Sequence, residues 1–219
     1  TTGDIASAEV LLVAGGGGGG SGGGGAGGGG GAGGVRFYPS LPVAAGEYTI
    51  TVGQGGNGAP TYSDPGTAGC PSTAFGKTAT GGGHSNYNHS SAPVNGGSGA
   101  GVSYNTNGGS GNAGGNDPDA SPAQEGYNGE LRGGGGAGAN GQPNAGGPGI
   151  QLPDFAGPLI GYPTLNPYNG YYGGGGGSGF DGVNGTPGGV GGGGHGQSRN
   201  ASSNGTVSAG VDMLGGGGG

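Results

Sequence analysis

The sequence has few basic residues, a single cysteine, a single methionine and no tryptophan. Four Lys and Arg residues stand against eleven Asp and Glu residues, which gives a formal net charge of -7 at pH 7. Because nucleic acid is bound largely through clustered basic side chains, we expect no nucleic-acid partner.

One cysteine excludes a disulfide framework within the chain and a cysteine-rich zinc site.

Long hydrophobic runs are also missing. The longest covers residues 10–14, whereas a membrane-spanning helix needs about 20 apolar residues. The same run is too short for the apolar core of a secretion signal. The sequence therefore predicts a soluble chain without membrane insertion.

Glycine takes the place of these residues and makes up 74 of the 219 positions. Residues 15–34 are glycine except for Ser21, Ala26 and Ala32, and shorter glycine runs recur to the last residue. Ordering a residue costs roughly 1–2 kcal/mol, and glycine loses the most freedom. Such runs are therefore either flexible tethers or extended helices packed too closely for side chains. Their short, recurrent form favours the packed helices.

The polyproline II backbone supplies a physical model for packed runs. It has about 3 residues per turn and no internal hydrogen bonds, so its N–H and C=O groups point outward and can pair with neighbouring runs. Collagen is excluded because the strict Gly-X-Y repeat is absent. The predicted fold is mostly irregular with short β-strands and no α-helix of note, built on a bundle of packed polyglycine II helices with connecting loops.

Three segments before residue 60 carry local predictions. Residues 9–13 predict a short buried strand, and residues 35–45 predict a loop with apolar anchors. Residues 47–52 predict a half-buried strand, because apolar and polar side chains alternate there. Residues 1–58 are expected to hold the N-terminal strands and the first glycine tract. Residues 59–219 are expected to hold the glycine-run bundle with exposed loops, in one continuous domain.

No phosphate-binding, calcium-binding or catalytic motif is complete in this sequence. Lys77 follows Gly76 as in a P-loop, but Pro71 stands where the first glycine of that motif is needed. An acidic loop starting at Asp117 resembles a calcium loop, yet Pro122 replaces its glycine. No nucleophile elbow with an ordered triad is visible. We therefore expect a non-enzyme, with no catalytic, cofactor-binding or metal-binding residue and no cofactor.

The connecting loops are rich in tyrosine, asparagine and serine, a composition typical of antibody contact surfaces. The largest loop, residues 150–172, combines aromatic residues with four prolines. It predicts either a ligand contact or an apolar cap on one end of the bundle. Our candidate contact residues are His84, Tyr87, His89, Tyr104, Tyr127, Tyr162, Tyr168, Tyr171 and Tyr172.

Over about its first 85 residues the chain resembles the glycine-rich domain of bacteriophage tail fibres. The likeness is carried by residues 9–14 running into the first tract, by residues 46–53, and by residues 72–76 before the glycines at 81–83. Beyond them, the alternating runs and loops are similar to the distal adhesins of T-even-type phage long tail fibres. The resemblance implies packed polyglycine II helices that present receptor-binding loops at the tip.

This resemblance also implies the remaining expectations. The chain would be a viral protein at the tail-fibre tip of the virion. It would bind a host cell-surface receptor, a glycan or an outer-membrane protein, without catalysis, and would contact other tail-fibre chains as a homotrimer. Such domains usually close with an apolar strand, whereas this sequence ends in glycine, so both a fragment of a longer fibre protein and a disordered end stay open.

Three alternatives follow from the residues alone. The first is a structural subunit of an extracellular filament or fibrous coat, in which the loops mediate subunit packing. The second, an ice-binding bundle, requires a flat face of short side chains, which the bulky loops disfavour. The third is the flexible tether.

Overall fold

The computed structural model describes residues 7–21, 26–61, 64–87, 94–102, 107–155, 169–180, 185–196, 208–212 and 214–219. Within these residues the only helical element is the 3-10 turn Pro153–Phe155, and the rest is short strands and irregular backbone. This confirms the expectation of a mostly irregular fold with short strands and no α-helix. No helix in the described ranges has the length and apolarity to cross a membrane.

In the described part of the chain, eight short strands pair into four two-stranded antiparallel sheets. The longest pair joins β1 to β3, and the other pairs join β2 to β8, β4 to β5, and β6 to β7. The strands are β1 (Ser7–Val13), β2 (Ala26–Gly27), β3 (Val35–Pro42), β4 (Ser72–Ala74), β5 (Lys77–Ala79), β6 (Ile150–Gln151), β7 (Tyr171–Tyr172) and β8 (Gly179–Phe180).

Strand β1 confirms the short strand predicted before the first glycine tract. Both faces of the β1–β3 sheet are covered by apolar residues, since Val10 and Leu12 belong to one core cluster while Leu11 and Val13 pack against another. The predicted loop at residues 35–45 is wrong over most of its length, because residues 35–42 form β3. The charged Arg36 lies within this strand, and its side chain is buried by contacts made far along the chain.

The predicted half-buried strand at residues 47–52 is also wrong. Its only sheet contact with another described residue is an isolated bridge between Thr51 and Thr73. Tyr48, Ile50 and Val52 are 41%, 54% and 83% exposed. The alternation of side chains is present, and the ring of Phe75 lies 4.8 Å from that of Tyr48, but Ile50 and Val52 on the same face stay mostly exposed.

The glycine runs are joined to one another by main-chain hydrogen bonds, and the pattern is clearest in residues 28–34, which we call the central run. Its successive N–H groups donate to three different segments in turn. Residues 29 and 32 donate to carbonyls at 132 and 135, residues 30 and 33 to those at 218 and 215, and residues 31 and 34 to those at 83 and 80. The same partner segment therefore returns after three residues.

The carbonyl groups of the central run accept bonds from three further segments. The N–H groups of residues 20, 17 and 14 donate to carbonyls 28, 31 and 34, again at intervals of three. Residues 101 and 98 donate to carbonyls 29 and 32, and residue 176 donates to carbonyl 30. Six segments from along the whole chain thus surround the central run.

Close approach of backbones explains why these positions are glycine. A Cβ atom added at Gly31 would overlap the carbonyl oxygen of Ser98, and one added at Gly30 would overlap that of Gly17. The backbone φ angles at these two positions lie outside the left-handed region. Side-chain volume, rather than a special turn conformation, is therefore what the central run excludes.

These bonds define two ends of the bundle. We call the end at Gly34 the strand end, because β1 and β3 continue from residues 14 and 34, and the end at Gly28 the far end. Both hydrophobic clusters lie toward the strand end. One contains Val10, Leu12, Ala14, Tyr38, Leu41, Ala74, Ala79 and Ala120, and the other contains Val35, Ala137, Tyr172 and Leu214.

Candidate functional site

The structure describes five of the nine predicted contact residues. His89, Tyr104, Tyr162 and Tyr168 lie outside the described residues. The other five do not form one surface, because they are divided between the two ends of the bundle and its side.

His84 and Tyr87 lie at the far end. They sit at the end of the segment whose Gly83 carbonyl accepts from Gly31, and Ser85 between them donates its N–H to the Gly18 carbonyl at 3.1 Å. Both candidate side chains are half-buried. Burial lowers the pKa of His84 below its usual value, and a hydrogen bond with Asn86 opposes that shift.

Tyr171 and Tyr172 form β7 at the strand end, where they pair with β6. The ring of Tyr172 is buried against Val35, Ala137 and Leu214, and its hydroxyl donates to the Phe155 carbonyl at 2.7 Å. Tyr172 is therefore a core residue that caps the bundle, and its ring does not reach the surface. Tyr171 beside it is half-buried.

Tyr127 lies on the side of the bundle. Its N–H donates to the Gly136 carbonyl at 3.1 Å, and its own carbonyl accepts from Gly99 at 2.9 Å. Its side chain is half-buried. This position separates Tyr127 from the far-end pair.

The acidic loop at Asp117 forms a polar network with Tyr38 and Lys77. Asp117 accepts from the Tyr38 hydroxyl at 2.9 Å and from Lys77 Nζ at 3.1 Å, and Lys77 also lies 2.8 Å from Asp119. Desolvation alone would raise the pKa of Asp117, but the Asp119 N–H, the Tyr38 hydroxyl and Lys77 together lower it. Burial and the bond to Asp117 raise the pKa of Tyr38. The hydrogen bond to Asp119 raises the pKa of Lys77.

A second polar network is centred on a buried ion pair and joins β3 to the segment after the acidic loop. Arg36 Nε lies 3.2 Å from Glu125 Oε2, and both side chains are at most 3% exposed. Glu125 also accepts the N–H groups of Thr80 at 2.9 Å and Gly114 at 2.7 Å. The Arg36 guanidinium further donates to the Gly115 carbonyl at 2.7 Å. All of these contacts hold loops onto β3.

Three buried polar atoms have no hydrogen-bond partner among the described residues: His84 Nδ1, Ser85 Oγ and Ser98 Oγ. Ser98 interrupts a glycine run, while Ser85 follows one after His84, and both fill space beside other runs, with Ser85 Oγ against Gly28 and Ser98 Oγ against Gly126. Sequence analysis missed these atoms, since an isolated serine in a glycine run looks like a spacer. In the described part of the chain no three His, Cys, Asp or Glu side chains are grouped as a metal site would require.

This arrangement matches what the family comparison finds. A family model described as a glycine-rich domain matches residues 2–219. The chain belongs to the glycine-rich domain family. No match was found among curated proteins or among solved structures.

Proposed function

We propose that this glycine-rich domain is the tip of a bacteriophage tail fibre, where it binds a receptor on the host bacterium without catalysis. The observation that carries the proposal is the three-residue period of hydrogen bonds in the central run. A scaffold joined through its main chain in this way leaves the connections between runs free to carry recognition, as loops on a rigid framework commonly do.

The scaffold in this proposal is a bundle of polyglycine II helices. A backbone with about 3 residues per turn directs successive N–H groups to three neighbours in rotation, which accounts for the partners of residues 29–34. Neighbours this close leave no room for Cβ atoms, as the overlaps calculated for Gly30 and Gly31 illustrate. The finer fold prediction rests on these two observations together.

Recognition is assigned to the far end. Tyr172 at the strand end is committed to the core, and the strand end also carries the two buried clusters. His84 and Tyr87 at the far end are half-buried, so part of each ring is accessible. Aromatic side chains with a polar edge suit the faces of sugars and the loops of outer-membrane proteins, the two receptor classes that we propose.

The proposed setting follows from the same resemblance. The domain would be located on the virion, would contact other tail-fibre chains, and would assemble as a homotrimer. Purified virions labelled with an antibody against this chain, and imaged by electron microscopy, test the location. We expect label at the distal ends of the fibres, and label confined to capsids or absent from virions would contradict the proposal.

The binding surface is tested with single substitutions in the fibre of an intact phage. We expect Tyr87→Ala to lower the rate of adsorption to host cells at least tenfold, whereas Tyr127→Ala on the side of the bundle leaves it within twofold. Fibre assembly is checked by imaging each variant. Normal adsorption by the Tyr87 variant, with Tyr171→Ala defective instead, would place the contact at the strand end.

A second candidate function is a structural subunit of an extracellular filament or fibrous coat. It is favoured by the exposed apolar side chains at residues 48–52, which are available for subunit packing. Formation of long polymers by the purified chain alone would support this function over receptor binding.

A further inference from the structure

One run of the bundle has a bonded side and an open side. Residues 53–59, which we call the edge run, bond inward through Gly56 and Ala59, whose N–H groups donate to the carbonyls of Gly16 and Gly19 at 2.8 and 2.9 Å. The carbonyls of residues 54 and 57 accept from residues 70 and 67. The edge run is thus joined to two neighbouring segments.

The open side is marked by Gly55 and Gly58, three residues apart. Both are exposed, and neither their N–H nor their C=O groups bond to any described residue. A row of unpaired main-chain groups at the edge of a bonded array is a template for another chain, for the same reason that an open sheet edge is.

Glycine at these two positions is not explained by packing within the chain. A Cβ atom at Gly55 or Gly58 would come no closer than 3.8 Å to another atom, and neither φ lies in the left-handed region. By contrast, a Cβ at Gly56 would overlap the Thr67 carbonyl. Other outer segments carry side chains at exposed positions, as at Pro187 and Val190. Alanine at these positions would restrict the unfolded chain more than glycine does, so the two glycines lower the stability of the isolated chain.

Apolar side chains are exposed on the residues that precede the edge run. Ile50 and Val52 are 54% and 83% exposed, beside Tyr48 at 41%. Across residues 43–60 the only charged side chain is Glu47, although the chain as a whole has a formal net charge of -7. The surface therefore lacks the repulsion that two acidic copies would otherwise meet.

We propose that the edge run binds the edge run of a second copy of this chain, about a two-fold axis. The partner must offer main-chain donors and acceptors, permit close approach at three-residue intervals and carry little charge. The same edge on another copy has all of these properties. A two-fold contact uses one surface on both partners and closes as a dimer. This inference does not depend on the proposed receptor-binding function, and it differs from the homotrimer proposed above, which rests on the resemblance alone. Sedimentation of the purified chain as a trimer would favour the homotrimer and overturn this inference.

The test measures oligomeric state in the purified chain by sedimentation velocity between 1 and 200 µM. We expect a concentration-dependent dimer for the native sequence and only monomer for the double variant Gly55→Ala, Gly58→Ala. The added methyl groups have room in the monomer, so circular dichroism and melting temperature should be retained. Val52→Ser should also weaken the dimer at least tenfold, and the matched control Val190→Ser should not.

Amide exchange locates the contact. In the native chain, exchange at Gly55 and Gly58 should slow at least tenfold as the dimer forms, while exchange in the double variant stays independent of concentration. A native chain that remains monomeric at 200 µM would overturn the inference. So would a dimer that persists in the double variant, or association into polymers instead of a closed dimer.

Discussion

Arg36 Nε lies 3.2 Å from Glu125 Oε2, across 89 positions of sequence, and neither side chain has appreciable contact with water. Removing one partner of a buried pair leaves an uncompensated charge, which typically costs about 3–5 kcal/mol. We therefore predict that Glu125→Ala lowers the free energy of unfolding by this amount, measured by denaturant titration.

The double variant Arg36→Met, Glu125→Leu distinguishes the ion pair from the wider network. An isolated buried pair can often be replaced by apolar residues at little cost. Glu125 also binds the N–H groups of Thr80 and Gly114, and these would lose their acceptor. We expect the double variant to remain destabilised by at least about 2 kcal/mol, given the cost of burying two unpaired donors. Native-like stability would show that those bonds contribute little.

The central run is predicted not to tolerate a methyl group. Gly31→Ala places a Cβ against the carbonyls of Ser98 and Gly99, and overpacking of this kind costs about 1–3 kcal/mol or more. Thermal melting measures the effect. Gly58→Ala is the matched control, because its Cβ has free space, and it should leave the melting temperature of the monomer unchanged or slightly higher. Equal melting temperatures for the two variants would contradict close packing of the runs.

Amide hydrogen exchange separates a bonded bundle from a flexible tether. The N–H groups of residues 29–34 all donate to carbonyls of other segments, so their exchange should require opening of the bundle and be slowed at least ~1,000-fold. The unpaired amides of Gly55 and Gly58 should exchange near the rate of an unfolded peptide in dilute monomer. Uniformly fast exchange across both groups would favour the tether.

The loss of folding stability at acid pH is predicted to depend on Asp117. Its folded-state pKa is lowered, so its stabilising contribution is full above the unfolded pKa, about 3.9, and is lost as the pH falls through the lower folded value. Asp117→Asn should reduce stability at pH 6 and flatten the decline of melting temperature below pH 4. The exposed Asp212→Asn serves as control, and a decline as steep in Asp117→Asn as in the native chain would count against the network.

Replacing an unpartnered buried serine is predicted to change stability in the opposite direction from replacing a hydrogen-bonded one. Ser98 Oγ is buried without a partner, so Ser98→Ala should be neutral or should stabilise by up to about 1 kcal/mol. Ser72 Oγ donates to the Val13 carbonyl at 2.7 Å and accepts from Gly53 at 2.8 Å. Ser72→Ala should therefore destabilise by about 1–3 kcal/mol. Denaturant titrations of both variants provide the comparison.

Local patterns predicted the parts of this fold that local sequence determines. The apolar run before the first tract became β1, because a continuous apolar run of this length is typical of a buried strand. The alternation at Tyr48, Ile50 and Val52 looks the same in a covered strand and in an exposed segment. It therefore could not show that Ile50 and Val52 are exposed. The burial of Arg36 in β3 could not be predicted from the neighbouring residues, because its partner Glu125 lies 89 positions along the chain.

The candidate site shows the same limit. Composition pointed to aromatic residues between glycine runs, and His84 and Tyr87 are accessible in part. Composition could not distinguish these accessible residues from the buried Tyr172, whose burial depends on Val35, Ala137 and Leu214 from three other segments. The division of the candidates between two ends follows from run directions, which glycine content does not encode.

The return of each partner after three residues also constrains how this sequence can change in length. Adding one residue within the central run would direct every later amide toward the wrong neighbouring segment, because each partner segment returns only at every third residue. Adding three would restore the partner segments while shifting the run along its axis by three residues. Length variation in relatives should therefore occur in multiples of three inside the runs, and without that restriction in the connections between them.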